Sequence, residues 1–377
     1  MANNNDKKVL NVPALRFPEF TGEWEKCKLS KVCSFFSGGT PPSSNKEYYN
    51  GNIPFIRSGE LHNDETELFI TKEGLDNSAA KMVEVGDLLL ALYGATSGDI
   101  AISKIKGAIN QAILCIRTKQ NKKFVESVWN KHVARLLQTY LQGGQGNLSA
   151  DIVKNIPFYF TNIEEQNKLA RFISLLDQRI AAQNKIIEDL KKLKSAFYQE
   201  LFSNLQGEEK SLSELAEITK GQQVNGNQLS ENGKYYVMNG GIMPSGYYDD
   251  YNTEAGTISI SEGGNSCGYV QYNKSKFWSG GHCYTLHIKP TARISTLFLF
   301  HCLKWKEEDI MALRIGSGLP NIQKKDLSKV RIIVPTFDKQ QQLIALLSTL
   351  QMKIEYEEMY TINLDKQKLH LLSQMFI

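Results

Sequence analysis

The sequence predicts an α+β architecture in which two similar mixed domains are joined by two long antiparallel helices of coiled-coil type. Together they form an internal duplication about a pseudo-two-fold axis. Three observations carry this reading. The chain repeats itself at an offset of 174 residues: Gly144 meets Gly318, Asn147 meets Asn321, Gln166 meets Gln340, Leu176 meets Leu350, Lys194 meets Lys368 and Phe202 meets Phe376. The stretches 164–203 and 338–377 contain no Gly or Pro and are rich in Leu, Ile, Lys, Glu and Gln, as long helices require. Between them lie short apolar or alternating runs bounded by Gly-rich turns, which read as strands.

A length of 377 residues suits two or three domains. With 41% hydrophobic and 22% charged residues the chain can bury a core, and disordered or fibrous classes are excluded. A net charge of +4 excludes a polybasic mode of nucleic-acid binding but leaves room for a local basic face. The six cysteines (Cys27, Cys33, Cys115, Cys267, Cys283, Cys302) show no CxxC, so reduced thiols and no structural zinc are expected. The opening MANNNDKKVLNVPAL has no apolar signal region, and no run approaches membrane length. A soluble, cytoplasmic protein is the expectation.

The first domain is expected over 1–160, with strands at Asn52–Ile56, Asp87–Leu92 and Ile109–Ile116 and a helix at Phe124–Leu141. A central helix follows over 161–205. Its apolar seam runs through Ile173, Leu176, Ile180, Ile187 and Leu190, with Gln183 and Lys194 at seam positions. The second domain, 206–335, has strands at Thr257–Ile260, Tyr269–Tyr272 and Tyr284–Ile288 and a helical stretch at Ile294–Leu313. Its opening motif Leu212-Ser213-x-Leu215-x-x-Ile218-x-x-Gly221 echoes Leu29-Ser30-x-Val32-x-x-Phe35-x-x-Gly38 at an offset of 183. The last helix, 336–377, repeats the seam with Leu347, Leu350, Ile354, Leu364 and Leu371, broken at Glu357 and Lys368. Two unrelated amphipathic helices, each lying on its own domain, would not need matched polar interruptions. Pairing the two helices antiparallel accounts for them and sets Gln183 against Glu357 as a register-fixing pair.

Six loops concentrate Gly, Ser, Thr, Asn and Gln: Ser37–Lys46, Gly94–Asp99, Gly143–Asn147, Gly221–Asn227, Glu262–Cys267 and Gly316–Asn321. Aromatic and basic residues sit among or beside them, a mixture suited to base edges and phosphates. The candidate DNA-contacting residues are Thr40, Lys46, Tyr48, Arg57, Tyr93 and Ser97 in the first domain. In the second they are Gln222, Asn225, Asn239, Asn265, Arg314 and Lys324. Arg57 and Arg314 lead for bidentate contact to guanine or phosphate. Catalytic motifs are missing: there is no GxxxxGK[ST], no strand–GxGxxG–helix, no Pro-Pro-aromatic methyltransferase signature, no HExxH. His282-Cys283 fails as a nucleophile pair, because neighbours on a strand point to opposite faces.

The opening NVPALRFPEFTGEW, the run FSGGTPPSSNKEYYNGNIPFIRSGEL, and GSGLPNIQKKDLSKVRIIVPTFDKQQQLIALL resemble the specificity subunit of type I restriction–modification enzymes. The resemblance covers essentially the whole chain. It implies two target-recognition domains, each reading one half of a split, asymmetric site in double-stranded DNA through the major groove. The helices would set the spacing and bind two methyltransferase subunits, and two restriction subunits would join for cleavage. It implies no catalysis and no cofactor in this chain: S-adenosylmethionine belongs to the methyltransferase subunits, and ATP and Mg2+ to the restriction subunits. Residues 13–160 hold seventeen basic and fifteen acidic side chains, and 206–335 hold fourteen and thirteen. Partner subunits would therefore supply part of the phosphate neutralisation. A self-contained methyltransferase or nuclease would lack every expected motif, and a purely structural coiled coil leaves the divergent paired domains unexplained.

Overall fold

The computed structural model describes residues 10–141, 147–316, 318 and 320–377, so most of the expected Gly143–Asn147 loop lies outside the described residues. The chain divides into two units, one holding residues up to 184 together with 359–377 and the other holding 185–358. Each long helix is continuous, Ile163–Ser203 and Phe337–Met375, and contributes one end to each unit.

The first unit is built on a four-stranded antiparallel sheet in the order Cys33–Ser37, Ile113–Thr118, Leu88–Ala91, Ile100–Ile102. Leu88–Ala91 is apolar throughout and buried on both faces, as its sequence demands. A second sheet joins Phe69–Ile70, Tyr49–Ile56, Gly107–Ile109 and Lys81–Val83, with its middle pair parallel. The expected strand Ile109–Ile116 is two strands of different sheets. Asn110 breaks it: its side-chain oxygen accepts from the Ala112 N–H (3.0 Å), closing a turn that an apolar count does not see. Helix Lys122–Leu141 covers the first sheet, and Glu25–Lys28 pairs with Pro157–Phe160 just before the first long helix.

The second unit repeats this plan. Ala216–Lys220, Cys283–Ile288, Thr257–Ser261 and Val270–Asn273 form the equivalent antiparallel sheet, and Glu208–Ser211 pairs with Arg331–Val334. The smaller sheet has three strands, Gly246–Tyr248, Tyr235–Met238 and Trp278–Ser279. The expected helix Ile294–Leu313 is two helices, Thr296–Trp305 and Glu307–Ala312, meeting at Lys306.

The sequence echoes have physical causes. Leu29 and Leu212 are both fully buried on equivalent single helical turns. Gly38 and Gly221 close the edge strands where a Cβ would sit 1.7 Å from the Ile109 carbonyl oxygen and 2.3 Å from that of Gly280, so no side chain fits at either place. Gln166 and Gln340 are completely buried and make the same latch. Gln166 Nε2 donates to Thr161 O (2.7 Å) and Gln120 Oε1 (2.6 Å), while its oxygen accepts from Asn121 N–H (3.1 Å) ahead of helix Lys122–Leu141. Gln340 Nε2 donates to Pro335 O (3.1 Å) and Arg293 O (2.9 Å), and its oxygen accepts from Ser295 N–H (2.9 Å), the N-cap of helix Thr296–Trp305.

Within each unit the two helix ends run antiparallel. In the first, Leu169 and Ile173 share a core with Leu372, Met375 and Phe376, and farther along Asp177 pairs with Lys368 (2.6 Å). In the second, Lys194 donates to Gln351 (2.6 Å), while Tyr198 and Phe202 share a core with Leu347 and Leu343. The polar interruptions at Lys368 and Lys194 are thus answered by Asp177 and Gln351, residues that also differ by 174 in number. None of the twelve expected seam residues is exposed: Ile173, Gln183, Ile187, Leu347, Ile354, Glu357 and Leu364 are buried, and Leu176, Ile180, Leu190, Leu350 and Leu371 are half-buried. Gln183 belongs to the first unit and Glu357 to the second.

Removing either latch strands a buried N–H. Gln166→Ala and Gln340→Ala should each lower stability by ~1–3 kcal/mol, read as a lower urea midpoint. An unchanged midpoint in both would show that the latches do not hold the helices.

Candidate nucleic-acid interface

In the first unit the segments after Ser37, Tyr93–Asp99 and Asn110–Ala112 lie side by side. Leu92 N–H donates to Ala112 O (2.8 Å), Leu148 N–H to Leu92 O (2.8 Å), and the Thr40 hydroxyl to Gln111 Oε1 (2.7 Å). Thr40 and Lys46 are exposed there, and Tyr48 is half-buried on the turn Lys46–Tyr48. Ser97 is half-buried and its hydroxyl donates to Leu92 O (3.0 Å), bracing the loop from within. Tyr93 packs against the core, and burial pushes its phenol pKa up.

Arg57 is placed otherwise than its sequence context suggests. Its guanidinium is held by Glu60 (2.7 Å) and Glu67 (2.7 Å). Burial opposes the charge on Glu60. The Arg57 guanidinium, the N–H groups of Arg57 and Glu67 and the Thr66 hydroxyl overcome it and hold the carboxyl at about 2. Arg57 is therefore a structural partner of a buried carboxylate. The His62 ring nitrogen lies 2.9 Å from Asp99 of the Gly94–Asp99 loop. That hydrogen bond raises the His62 pKa, and Lys104 donates to its carbonyl (2.8 Å).

The second unit gathers its polar residues more tightly. Lys220, Asn239, Glu262, Asn265, Ser266, His282 and Asn321 line a cleft of about 690 Å³. Glu262 organises it: Lys220 donates to Oε1 (2.6 Å), the Tyr284 hydroxyl donates to the same oxygen (3.1 Å), and Oε2 faces His282 Nδ1 at 3.6 Å. Burial and the Glu262 charge push Tyr284 up to about 12, so it stays a donor. Asn239 Oδ1 accepts from His282 N–H (3.0 Å), while Asn265 is exposed at its loop tip. Arg314 is exposed with no carboxylate in ion-pair reach among the described residues; burial pushes the Cys267 thiol up, and the Arg314 charge opposes that shift. Gln222 is fixed through its backbone, donating to Ser279 O (2.8 Å) and accepting from Trp278 Nε1 (2.7 Å). Asn225 and Lys324 are exposed on separate short turns and do not line the cleft. Of the twelve candidates the cleft brings together Asn239 and Asn265. Lys220 and His282 join them without having been anticipated. Cys283 beside His282 is buried, and burial pushes its thiol up to about 11.

The two units present one loop on the same frame. In the first, Ser97 N–H donates to Gly94 O (3.1 Å), Gly98 N–H to Ala91 O (2.8 Å), Asp99 N–H to Thr96 O (2.9 Å) and Ala91 N–H to Asp99 O (2.8 Å). In the second the same four bonds link Cys267 to Gly264 (3.1 Å), Gly268 to Ser261 (2.9 Å), Tyr269 to Ser266 (2.9 Å) and Ser261 to Tyr269 (2.9 Å). Gly94, Gly98, Gly264 and Gly268 all take positive φ (85°, 87°, 76° and 93°), which only glycine adopts freely. The frame is shared and the tips differ, Ala95-Thr96-Ser97 against Asn265-Ser266-Cys267.

Comparison with known proteins agrees with this pairing. The sequence profile of the type I restriction modification DNA specificity domain matches twice, over residues 21–192 and 205–364. The chain is 34% identical over 157 residues to a type I specificity subunit from Mycoplasma pneumoniae, covering 41% of this chain and 42% of that one. It is 26% identical over 217 residues to a type I restriction enzyme specificity subunit from Methanocaldococcus jannaschii, covering 56% and 49%. The matched stretches thus span about half or less of these curated relatives. The fold is similar to the crystal structure of the S subunit of a type I restriction-modification system from M. genitalium, with a TM-score of 0.64 and 20% identity over 97% of this chain and 99% of that one. No helix among the described residues is long and apolar enough to cross a membrane. With one such domain in each half, the chain belongs to the type I restriction modification DNA specificity family.

Proposed function

We propose that this chain is the DNA-specificity subunit of a type I restriction–modification complex, working in the cytoplasm. Each unit reads one half of a bipartite, asymmetric site in double-stranded DNA. The observation that carries the reading is the twin loop: identical backbone bonds with different tips let two halves of one chain read different bases on one scaffold.

The chain itself performs no chemistry in this account. Two methyltransferase subunits bring S-adenosylmethionine and two restriction subunits bring ATP and Mg2+. The long helices expose apolar side chains on their outer faces, including Leu175, Ile362 and Leu369 in the first unit and Leu193, Met352 and Tyr356 in the second. Solvent-facing apolar residues along a helix favour covering by a partner, and the methyltransferase subunits dock there. They also contribute positive charge that a chain of net +4 lacks.

The two arginines should separate by role. Arg314→Ala should weaken DNA binding by ~1–3 kcal/mol, whereas Arg57→Ala should lower the melting temperature and leave sequence preference intact. Equal binding losses with unchanged melting in both would contradict the assignment.

The helices act as a ruler between the half-sites. Asp177 and Lys368 pair on one side of the middle, and Lys194 and Gln351 on the other. A heptad inserted after Asp177 and another after Gln351 therefore fall between the same two bonds. Each helix gains ~10 Å, or about three base pairs at ~3.4 Å each. Mapped methylation sites should show the same half-sites with a longer gap. Methylation confined to the original spacing would show that the helices do not set it.

A further inference from the structure

Four large apolar side chains are exposed on the globular part of the second unit among the described residues: Ile242 (53%), Met243 (74%), Tyr247 (41%) and Ile315 (60%). Three of them adjoin, along the chain or by a backbone hydrogen bond, residues that line the polar cleft. Ile242 and Met243 lie between Gly241 and Ser245, which line the polar cleft, and Ile315 exchanges backbone hydrogen bonds with Asn321, which also lines it (2.8 and 3.0 Å). Isolated exposed apolar residues on a loop are ordinary; an adjacent exposed pair flanked on both sides by lining residues of a cleft that holds Lys220 and Asn265 is not.

The loop that carries Ile242 and Met243 is braced. Ser245 N–H donates to Val237 O (2.9 Å), Gly280 N–H donates to Met238 O (2.8 Å), and Asn239 accepts from His282 N–H. Gly240 takes φ +82°, and a Cβ there would press on His282 at 3.1 Å. The apolar tip is thus held out beside the polar groups in advance, so little order is lost when it meets a ligand.

A duplex has one major-groove feature that is apolar, the C5-methyl of thymine. Its partner adenine offers N7 and N6, which an Asn amide matches bidentately. We propose that the second unit reads an A·T pair, with the thymine methyl packed against Ile242 and Met243 and the Asn265 amide on adenine N6 and N7. This rests on the reading above that the unit binds DNA. The first unit carries Ala95 at the position of Asn265, so it lacks the amide half of this device.

The test removes the methyl alone. The protein, purified from its host with the subunits that accompany it, is used to select from a randomised duplex pool amplified with dTTP or with dUTP. The dTTP pool should yield a two-part motif with a fixed A·T pair in one half. In the dUTP pool enrichment at that pair should fall about fourfold, the transfer preference of one methyl group. The double variant Ile242→Ala with Met243→Ala should lose the difference between pools, and Met243→Leu, which keeps the apolar contact, should retain it. A motif selected equally from both pools by the unaltered protein overturns the inference and leaves the DNA reading standing. Absence of any two-part motif overturns both.

Discussion

Phe376 packs against Trp24 and Phe124, and Phe202 against Phe298 and Trp305. These aromatic contacts close the two cores, and each is made by the far end of a long helix that begins in the other unit. The constraint shapes everything else. Each core thus combines a helix of its own segment with the end of a long helix that begins in the other unit. Phe124 and Phe298 differ by the same 174 residues as Phe202 and Phe376, so the closing contact was duplicated with the domain. The glutamine latches fix where each helix starts, and the aromatic ends fix where each stops.

Much of this was legible in the sequence because it depends on side-chain type at fixed spacing. Leu, Ile and Phe repeating at one offset, and long runs without Gly or Pro, have few structural meanings. The twin loop was not legible. Its frame consists of backbone hydrogen bonds, which leave no mark except a pair of glycines four apart, and its offset of 170 differs from the 174 of the helices because the intervening chain differs in length. The strand Ile109–Ile116 was misjudged for a related reason: one Asn side chain turning back on the backbone outweighs six apolar neighbours.

Arg57 shows what composition does not reveal. An arginine beside a Gly-rich loop looks free until its acids are located, here Glu60 at three residues and Glu67 at ten. What the sequence lacks is the burial of Glu60, which makes its pairing obligatory: an unpaired carboxylate there would be costly. Arg314 has no such partner among the described residues and keeps its place beside the Glu262–Cys267 loop. Within the proposed function, modest overall charge, braced loops and divergent tips belong together, since contacts placed by a rigid frame can discriminate bases while partner subunits hold the phosphates.

The central claim is that each unit is an independent reader on a common frame. Replacing residues 13–155 with the corresponding segment of a relative leaves Gln166, Leu169, Ile173 and the Leu372–Phe376 end in place to close the new core. Mapping methylated bases in a host carrying the hybrid tests the claim directly. The account predicts that one half-site changes while the other half-site and the gap stay as they were. A hybrid that methylates a target altered in both halves would contradict it.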